Sequence, residues 1–248
     1  MVVGKSKQKR RRCIDPFYFK TTFLVKSPYF EYSKTKHDEY ASISTPKLPN
    51  STLDFPLIFT PVTRAIGKTA SKLPTHEKVL NRSIETFAPD IMSVKSDLDY
   101  NVINLKIYTI SERGHAEADF NGFRLTKEKL ASIPHKFHTL ITLNQVYKSL
   151  DGYQVRIFMS ATTRARTLQL KKTSYANKSQ IKKIRTVMHQ TVEKHIKKMK
   201  IHDFVERMAV KGGMSKEICQ QCENIYPVNE EILITKIKVV ERPPREEK

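Results

Sequence analysis

The sequence predicts an α+β protein with mostly antiparallel strands and flanking helices, and three observations carry that prediction. Apolar residues alternate with polar ones through the middle of the chain, as in half-buried strands. Beyond residue 162 the apolar spacing changes to three and four, the helical period. With 248 residues and 39% apolar content, the chain has enough Ile, Val, Leu and Phe to bury a sizeable core.

Residues 1–14 form a basic arm, in which Lys5, Lys7, Lys9, Arg10, Arg11 and Arg12 have no acid to pair with. Such a run is disordered alone and orders only on a partner. A solvated tail and a nuclear-import signal are the other readings of it. Residues 15–76 hold an early cluster of aromatics (Phe17, Tyr18, Phe19, Phe23, Tyr29, Phe30, Tyr32), then Pro46, Pro49, Pro56 and Pro61 in a Ser/Thr/Lys-rich stretch. Prolines at that density predict extended chain lying on a surface. Base stacking and docking into an apolar groove both remain open for the aromatics.

Residues 77–240 read as the globular domain. Ile103, Leu105 and Ile107 alternate with Asn104, Lys106 and Tyr108, predicting a strand over 101–110. Asn121-Gly122 is a turn signal, and Thr126 is placed to N-cap a short helix ending before Pro134. The runs Phe137–Tyr147 and Tyr153–Ala161, joined through Asp151-Gly152, predict a hairpin. Ile181, Ile184, Met188, Val192, Ile196 and Met199 then mark a long amphipathic helix over about 177–200. Gly212-Gly213 is a helix stop, Ser215 is placed to cap the next helix, and Glu231–Val240 is a final strand. Residues 241–248 are a polar tail, and no internal repeat is visible.

Charge narrows the function classes. Forty-five Lys and Arg against 25 Asp and Glu give a net +20, with a pI near 9.8. Charge so one-sided disfavours the compact state by self-repulsion, whereas a polyanion relieves it and gains affinity through counterion release. Nucleic acid is therefore the expected partner, ahead of a membrane surface. The cysteines Cys13, Cys219 and Cys222 are too few and odd in number for a secreted disulfide scaffold. The first residues lack an apolar leader core, and no stretch has the length of a membrane span. A cytosolic or nuclear setting is expected.

Motifs for chemistry are incomplete. Gly67-Lys68-Thr69 resembles the end of a phosphate-binding loop, but Val62 stands where that loop needs glycine. His76-Glu77 opens like a zinc-protease helix, yet Leu80 replaces the second histidine. Cys219 and Cys222 have the spacing of half a zinc site with no second pair nearby. Asp97, Asp99, Glu117 and Asp119 would make a metal-dependent nuclease centre only if they converged in one pocket. No catalytic residue, cofactor or resident metal is expected.

The 41 residues between Asp151 and Glu193 contain no acid and hold nine fixed cations. These are Arg156, Arg164, Arg166, Lys171, Lys172, Lys178, Lys182, Lys183 and Arg185. Thr167, Thr173, Ser174, Tyr175, Asn177 and Gln180 lie among them as hydrogen-bonding partners for phosphate or ribose. Helix amides near residue 177 can add to an anion site. This stretch is the expected RNA-binding surface.

Lys172-Thr173-Ser174-Tyr175-Ala176 resembles the signature of the archaeal and eukaryotic small-subunit ribosomal protein S-three-a family, also called eukaryotic-type S-one. Further similar elements follow in family order over about residues 14–243. They are Asp15-Pro16-Phe17, Ile66-Gly67-Lys68-Thr69, Phe120-Asn121-Gly122-Phe123-Arg124-Leu125-Thr126, Asp151-Gly152-Tyr153 and Ile225-Tyr226-Pro227. The resemblance implies a β-barrel-like core and a place on the small-subunit platform near the messenger-RNA exit. It also implies contacts with small-subunit ribosomal RNA, neighbouring ribosomal proteins and translation initiation factors, in the cytoplasm after nucleolar passage. Its basic signature falls on Lys172, Ser174 and Tyr175, preceded by Arg164 and Arg166, and its glycine-lysine element on Gly67 and Lys68. Three departures stand out: an insertion of roughly 25 residues at about 31–60, judged against ordinary loop lengths; Phe23 in place of a tryptophan; and Asn81 in place of a glycine. A non-ribosomal RNA-binding factor in ribosome maturation shares every charge argument.

Overall fold

A computed structural model of the chain describes residues 20–26, 28, 57–63, 80–91, 98–110 and 115–244. The arm (1–14), Lys68 and the 31–56 part of the expected insertion lie outside the described residues, as do Gly67, His76 and Asp97.

Among the described residues eight strands build one sheet. They are β1 (Lys20–Lys26), β2 (Leu57–Thr63), β3 (Ser83–Phe87), β4 (Asn101–Ile110), β5 (His115–Leu125), β6 (Leu140–Lys148), β7 (Gln154–Thr162) and β8 (Leu233–Glu241). Six of them run in the order β3-β4-β5-β8-β7-β6, each antiparallel to its neighbours. β1 joins the start of β5 in parallel, Leu24–Lys26 lying opposite His115–Glu117, and carries β2 antiparallel on its other side.

The helices are α1 (Ala88–Ile91), α2 (Lys127–Ser132), α3 (Lys178–Ile196), α4 (Ile201–Phe204) and α5 (Ser215–Cys222). α4 runs on into a π-helical turn over Val205–Val210. On α3 the predicted stripe is the buried one: Ile184, Met188, Val192 and Ile196 are buried, with Ile181 half-buried. They join Phe204, Val205 and Ile218 from the following helices in one core with the sheet residues Ile141, Tyr147, Val155 and Ile157.

That packing corrects the expected barrel. Among the described residues β3 pairs only with β4 and β6 only with β7, so the sheet stays open. The apolar face that an opposite barrel wall would cover is covered by α3–α5 instead. The exposed residues of β6 mix Leu140 and Val146 with Thr142, Asn144, Gln145 and Lys148, and Arg185 Nε donates to the Thr142 carbonyl of that strand at 3.0 Å. Polar and charged groups there oppose edge-to-edge pairing.

A second correction concerns Asn121-Gly122, which lies inside β5 rather than in a turn. Leu105 opposes Phe120 and Asn104 opposes Gly122, so Asn121 is the extra residue of a β-bulge. Gly122 is needed because β8 passes close by. A Cβ at that position would lie 3.0 Å from the Ile237 carbonyl oxygen. An Asn-Gly pair thus serves a bulge and a close strand crossing as well as it serves a hairpin.

The Asp151-Gly152 hairpin is present. Gly152 has φ 83° and donates its N–H to the Ser149 carbonyl at 3.1 Å. Asp151 does more than turn the chain, since its Oδ2 accepts the Ile201 N–H at the start of α4 at 3.2 Å. Thr126 sits at the N-cap of α2 with extended backbone, but its hydroxyl makes no capping bond. Ser215 is the first residue of α5 rather than its cap, and its hydroxyl donates to the Ile232 carbonyl at 2.9 Å. Asn81 has φ 63°, a left-handed conformation that glycine and asparagine adopt most readily. This is the position where the family resemblance implies glycine.

Candidate nucleic-acid interface

The acid-free stretch forms the whole of β7, a loop over residues 163–177 and all but the last turn of α3. Two docking points hold the loop to the body. At its exit Ser174 is fully buried, its N–H donating to the Phe137 carbonyl at 2.9 Å and its carbonyl accepting from Thr163 Oγ1 at 2.6 Å. His138 Nδ1 lies 2.6 Å from the Thr163 carbonyl and 2.9 Å from Ser174 Oγ. A carbonyl only accepts, so that nitrogen carries the proton. At the loop's entry, Arg164 N–H donates to the Pro227 carbonyl at 2.9 Å and Asn229 N–H to the Thr162 carbonyl at 2.8 Å. The loop containing Lys172–Ala176 and the segment Ile225–Pro227, some fifty positions apart, are thereby brought against each other.

Ser174 was expected to contact RNA directly. Its burial gives it another task, because a hydroxyl already bonded inside the protein fixes the loop instead of facing a partner. Tyr175, next to it, is exposed and free to stack on a base. Asn177 N–H donates to Gln180 Oε1 at 2.9 Å in a capping box, and Ala176 N–H donates to Thr139 Oγ1 at 3.1 Å. Some amides at the start of α3 are therefore already satisfied, so an anion placed there would be met mainly by Lys178, Lys182 and Lys183.

All nine cations are exposed, but the fold divides them. Arg156 lies between the buried Val155 and Ile157, on the face of β7 turned away from the helix-covered core. The other eight lie on the loop and α3. Among the described residues only Arg164 has a carboxylate within ion-pair distance, Glu230 at 3.4 Å, and both side chains are solvent-exposed. A pair so exposed is worth little and is readily exchanged for a phosphate. Two cations are set by aromatic rings: the Arg166 guanidinium lies 5.1 Å from the Tyr226 ring centroid, and Lys172 Nζ lies 5.0 Å from that of Phe137. Phe137 takes φ 71°, an uncommon value for an aromatic residue, and Lys136 approaches the same ring at 5.1 Å.

Sequence reasoning missed Lys136, Lys236 and Lys238. Lys238 lies directly opposite Arg156 across β7 and β8, and Lys236 opposite Arg124 across β8 and β5. Arg124 already has Glu85 as a counter-charge at 2.5 Å. Arg156 and Lys238, like charges opposed on one sheet face, repel, so a bound anion would stabilise that pair. The signal was present in Thr235-Lys236-Ile237-Lys238, whose alternation sets both lysines on the side opposite Ile237.

Among the described residues, those considered for other chemistry do not gather into one site. Cys222 is buried, which pushes its thiol up to about 11, and Cys219 Sγ donates to the Asn229 carbonyl at 3.3 Å. Among the described residues no three His, Cys, Asp or Glu side chains stand close enough to hold a metal ion. Glu117 is exposed and accepts the Thr109 hydroxyl at 2.9 Å, while Asp119 is buried and accepts the Phe120 N–H at 2.7 Å and the Tyr153 hydroxyl at 2.8 Å. Asp99 is exposed. No helix among the described residues is long and apolar enough to cross a membrane.

His202 approaches Asp119 at 3.3 Å, yet burial outweighs that carboxylate and lowers the imidazole pKa below its ordinary 6.5. The unfolded chain therefore takes up this proton first as pH falls, and stability declines below about pH 6.5. Thermal melting between pH 7 and pH 5 is expected to show a falling Tm, with a smaller fall for His202→Gln. Equal falls in the two proteins would rule His202 out as the source.

A sequence profile of the Ribosomal S3Ae family matches residues 51–243, which include the loop, α3 and the whole six-strand sheet. The chain belongs to the Ribosomal S3Ae family. Its relatives in that family are small ribosomal subunit proteins eS1. That of Brugia malayi is 38% identical over 125 residues, 50% of this chain and 48% of the Brugia protein. That of Plasmodium falciparum is 35% identical over 190 residues, 73% of this chain and 66% of the relative. The Caenorhabditis elegans protein is 28% identical over 254 residues, covering 98% of this chain and 85% of its own length. The chain thus spans about half the length of the first of these S3Ae-family relatives and more of the others.

Proposed function

We propose that this chain is a structural constituent of the small ribosomal subunit, binding small-subunit ribosomal RNA and supporting subunit assembly and translation. The observation that carries the reading is the loop–α3 surface. It carries eight exposed cations, of which Arg164 alone has a carboxylate (Glu230) within ion-pair distance among the described residues, on a chain of net charge +20. Phosphate contacts of this kind position a protein without reading sequence. Family membership supports the same reading, since the relatives named above are small-subunit proteins. Extending it, we assign the chain to the platform near the messenger-RNA exit. There it would touch neighbouring ribosomal proteins and initiation factors, after nucleolar passage to the cytoplasm. In this reading the arm (1–14) threads between RNA helices, Lys68 adds a further contact, and the chain performs no catalysis of its own.

Sucrose-gradient fractionation of lysate, probed for this chain at moderate and at high salt, tests the proposal. Near-stoichiometric co-migration with small subunits, persisting at high salt, is the expected result. A chain confined to light fractions, or stripped by modest salt, would overturn it in favour of a maturation factor.

A further inference from the structure

Leu168 and Leu170 are fully exposed, whereas the other large apolar side chains that reach solvent among the described residues keep part of their surface covered. A single exposed leucine needs no explanation. Two of them, either side of a residue that locks the loop, do. Gln169 Oε1 accepts the Arg166 N–H at 3.2 Å, and its Nε2 donates to the carbonyls of Lys171 and Thr173, each at 2.7 Å. The amide of Gln169 therefore turns inward and holds the loop closed, and the flanking leucines project. Leu168 has φ 62°, a conformation that leucine adopts rarely and that the Gln169 bonds maintain.

The leucines are framed by charge on both sides. Arg164 and Arg166 precede them and Lys171 and Lys172 follow, all exposed. Arg166 is held over Tyr226 and Lys172 over Phe137, so the frame is fixed relative to the tip. Cations that grip phosphates around an apolar tip are the arrangement by which proteins lever bases apart. Four cations so nearly free of counter-charge favour a polyanion over an uncharged apolar partner.

We propose that the 164–173 loop is an apolar wedge that places Leu168 and Leu170 against unstacked bases at a bulge or helix end of RNA, while the four flanking cations hold the phosphates around it. This rests on the RNA-binding reading of the basic surface and adds to it a preference for distorted over continuous duplex.

The test uses the full chain and two hairpin RNAs, one fully paired and one with a bulge containing a fluorescent adenine analogue. Wild-type protein is expected to bind the bulged hairpin roughly tenfold more tightly and to brighten the analogue as it unstacks. L168N/L170S is expected to lose both the preference and the brightening while keeping the salt dependence, because no phosphate contact is removed. Asparagine suits the left-handed backbone at 168, and neither leucine contributes to the core, so folding is preserved. K171Q/K172Q is expected to show the reverse: a shallower salt dependence on both hairpins. Equal preference in wild type and L168N/L170S, or no brightening with wild type, overturns the wedge. So does unchanged RNA binding by L168N/L170S together with weaker retention on small subunits, which would mark a protein contact. If wild-type protein binds neither hairpin, the RNA-binding reading itself falls, a result distinct from loss of the bulge preference alone.

Discussion

Replacing Lys171, Lys172, Lys178, Lys182 and Lys183 together by glutamine is expected to weaken binding to small-subunit ribosomal RNA by about a thousandfold at physiological salt. The argument is one of counterions. Each lysine that neutralises a phosphate releases condensed cations and steepens the dependence of log K on log salt by somewhat less than one. All five side chains are exposed, and among the described residues none has a carboxylate within ion-pair distance. Their charge is therefore available to a partner, and glutamine keeps much of their length and their capacity to donate hydrogen bonds. Folding should be nearly unaffected, because the ammonium of the exposed Lys172 over the Phe137 ring is a weak interaction. Filter binding across a salt titration checks the expectation. An unchanged slope would show that these lysines face solvent in the complex and that the interface lies elsewhere, for instance on the Arg156–Lys238 face.

Phe123→Ala is expected to cost about 3–5 kcal/mol of folding stability. Phe123 is fully buried and opposes Ile103 on β4 and Ile237 on β8, and Ile237 in turn opposes Ile157 on β7. These four residues form an apolar row across the middle of the six-strand sheet. Truncating its aromatic member leaves a cavity between strands whose spacing is fixed by ladder hydrogen bonds, so the site collapses poorly. The effect should be larger here because β5 and β8 pair over Gly122–Arg124 alone. Urea denaturation provides the measurement. A loss below about 1 kcal/mol, the scale of an ordinary surface substitution or less, would mean that the row is not a continuous part of the core.

The sequence by itself determined the fold class, the strands β4, β6, β7 and β8, the long helix α3 and its buried stripe, and the Asp-Gly hairpin. It did so because periodicity records which side of each element is buried, and that is a local property. It also determined where the cations lie along the chain, and so the expected class of partner. Tertiary structure alone decided what those local signals were for. Asn121-Gly122 became a bulge because β8 crosses close to it, a neighbour far away in sequence. Ser174 became an internal fastener because Phe137 and Thr163 meet it there. The nine-cation run was divided because Arg156 belongs to the strand face opposite α3, and Lys236 and Lys238 joined it from the last strand. The sheet stayed open because α3–α5 cover the face that closure would have buried. In each case the deciding contact joins residues distant along the chain, so neither composition nor spacing carries a record of it.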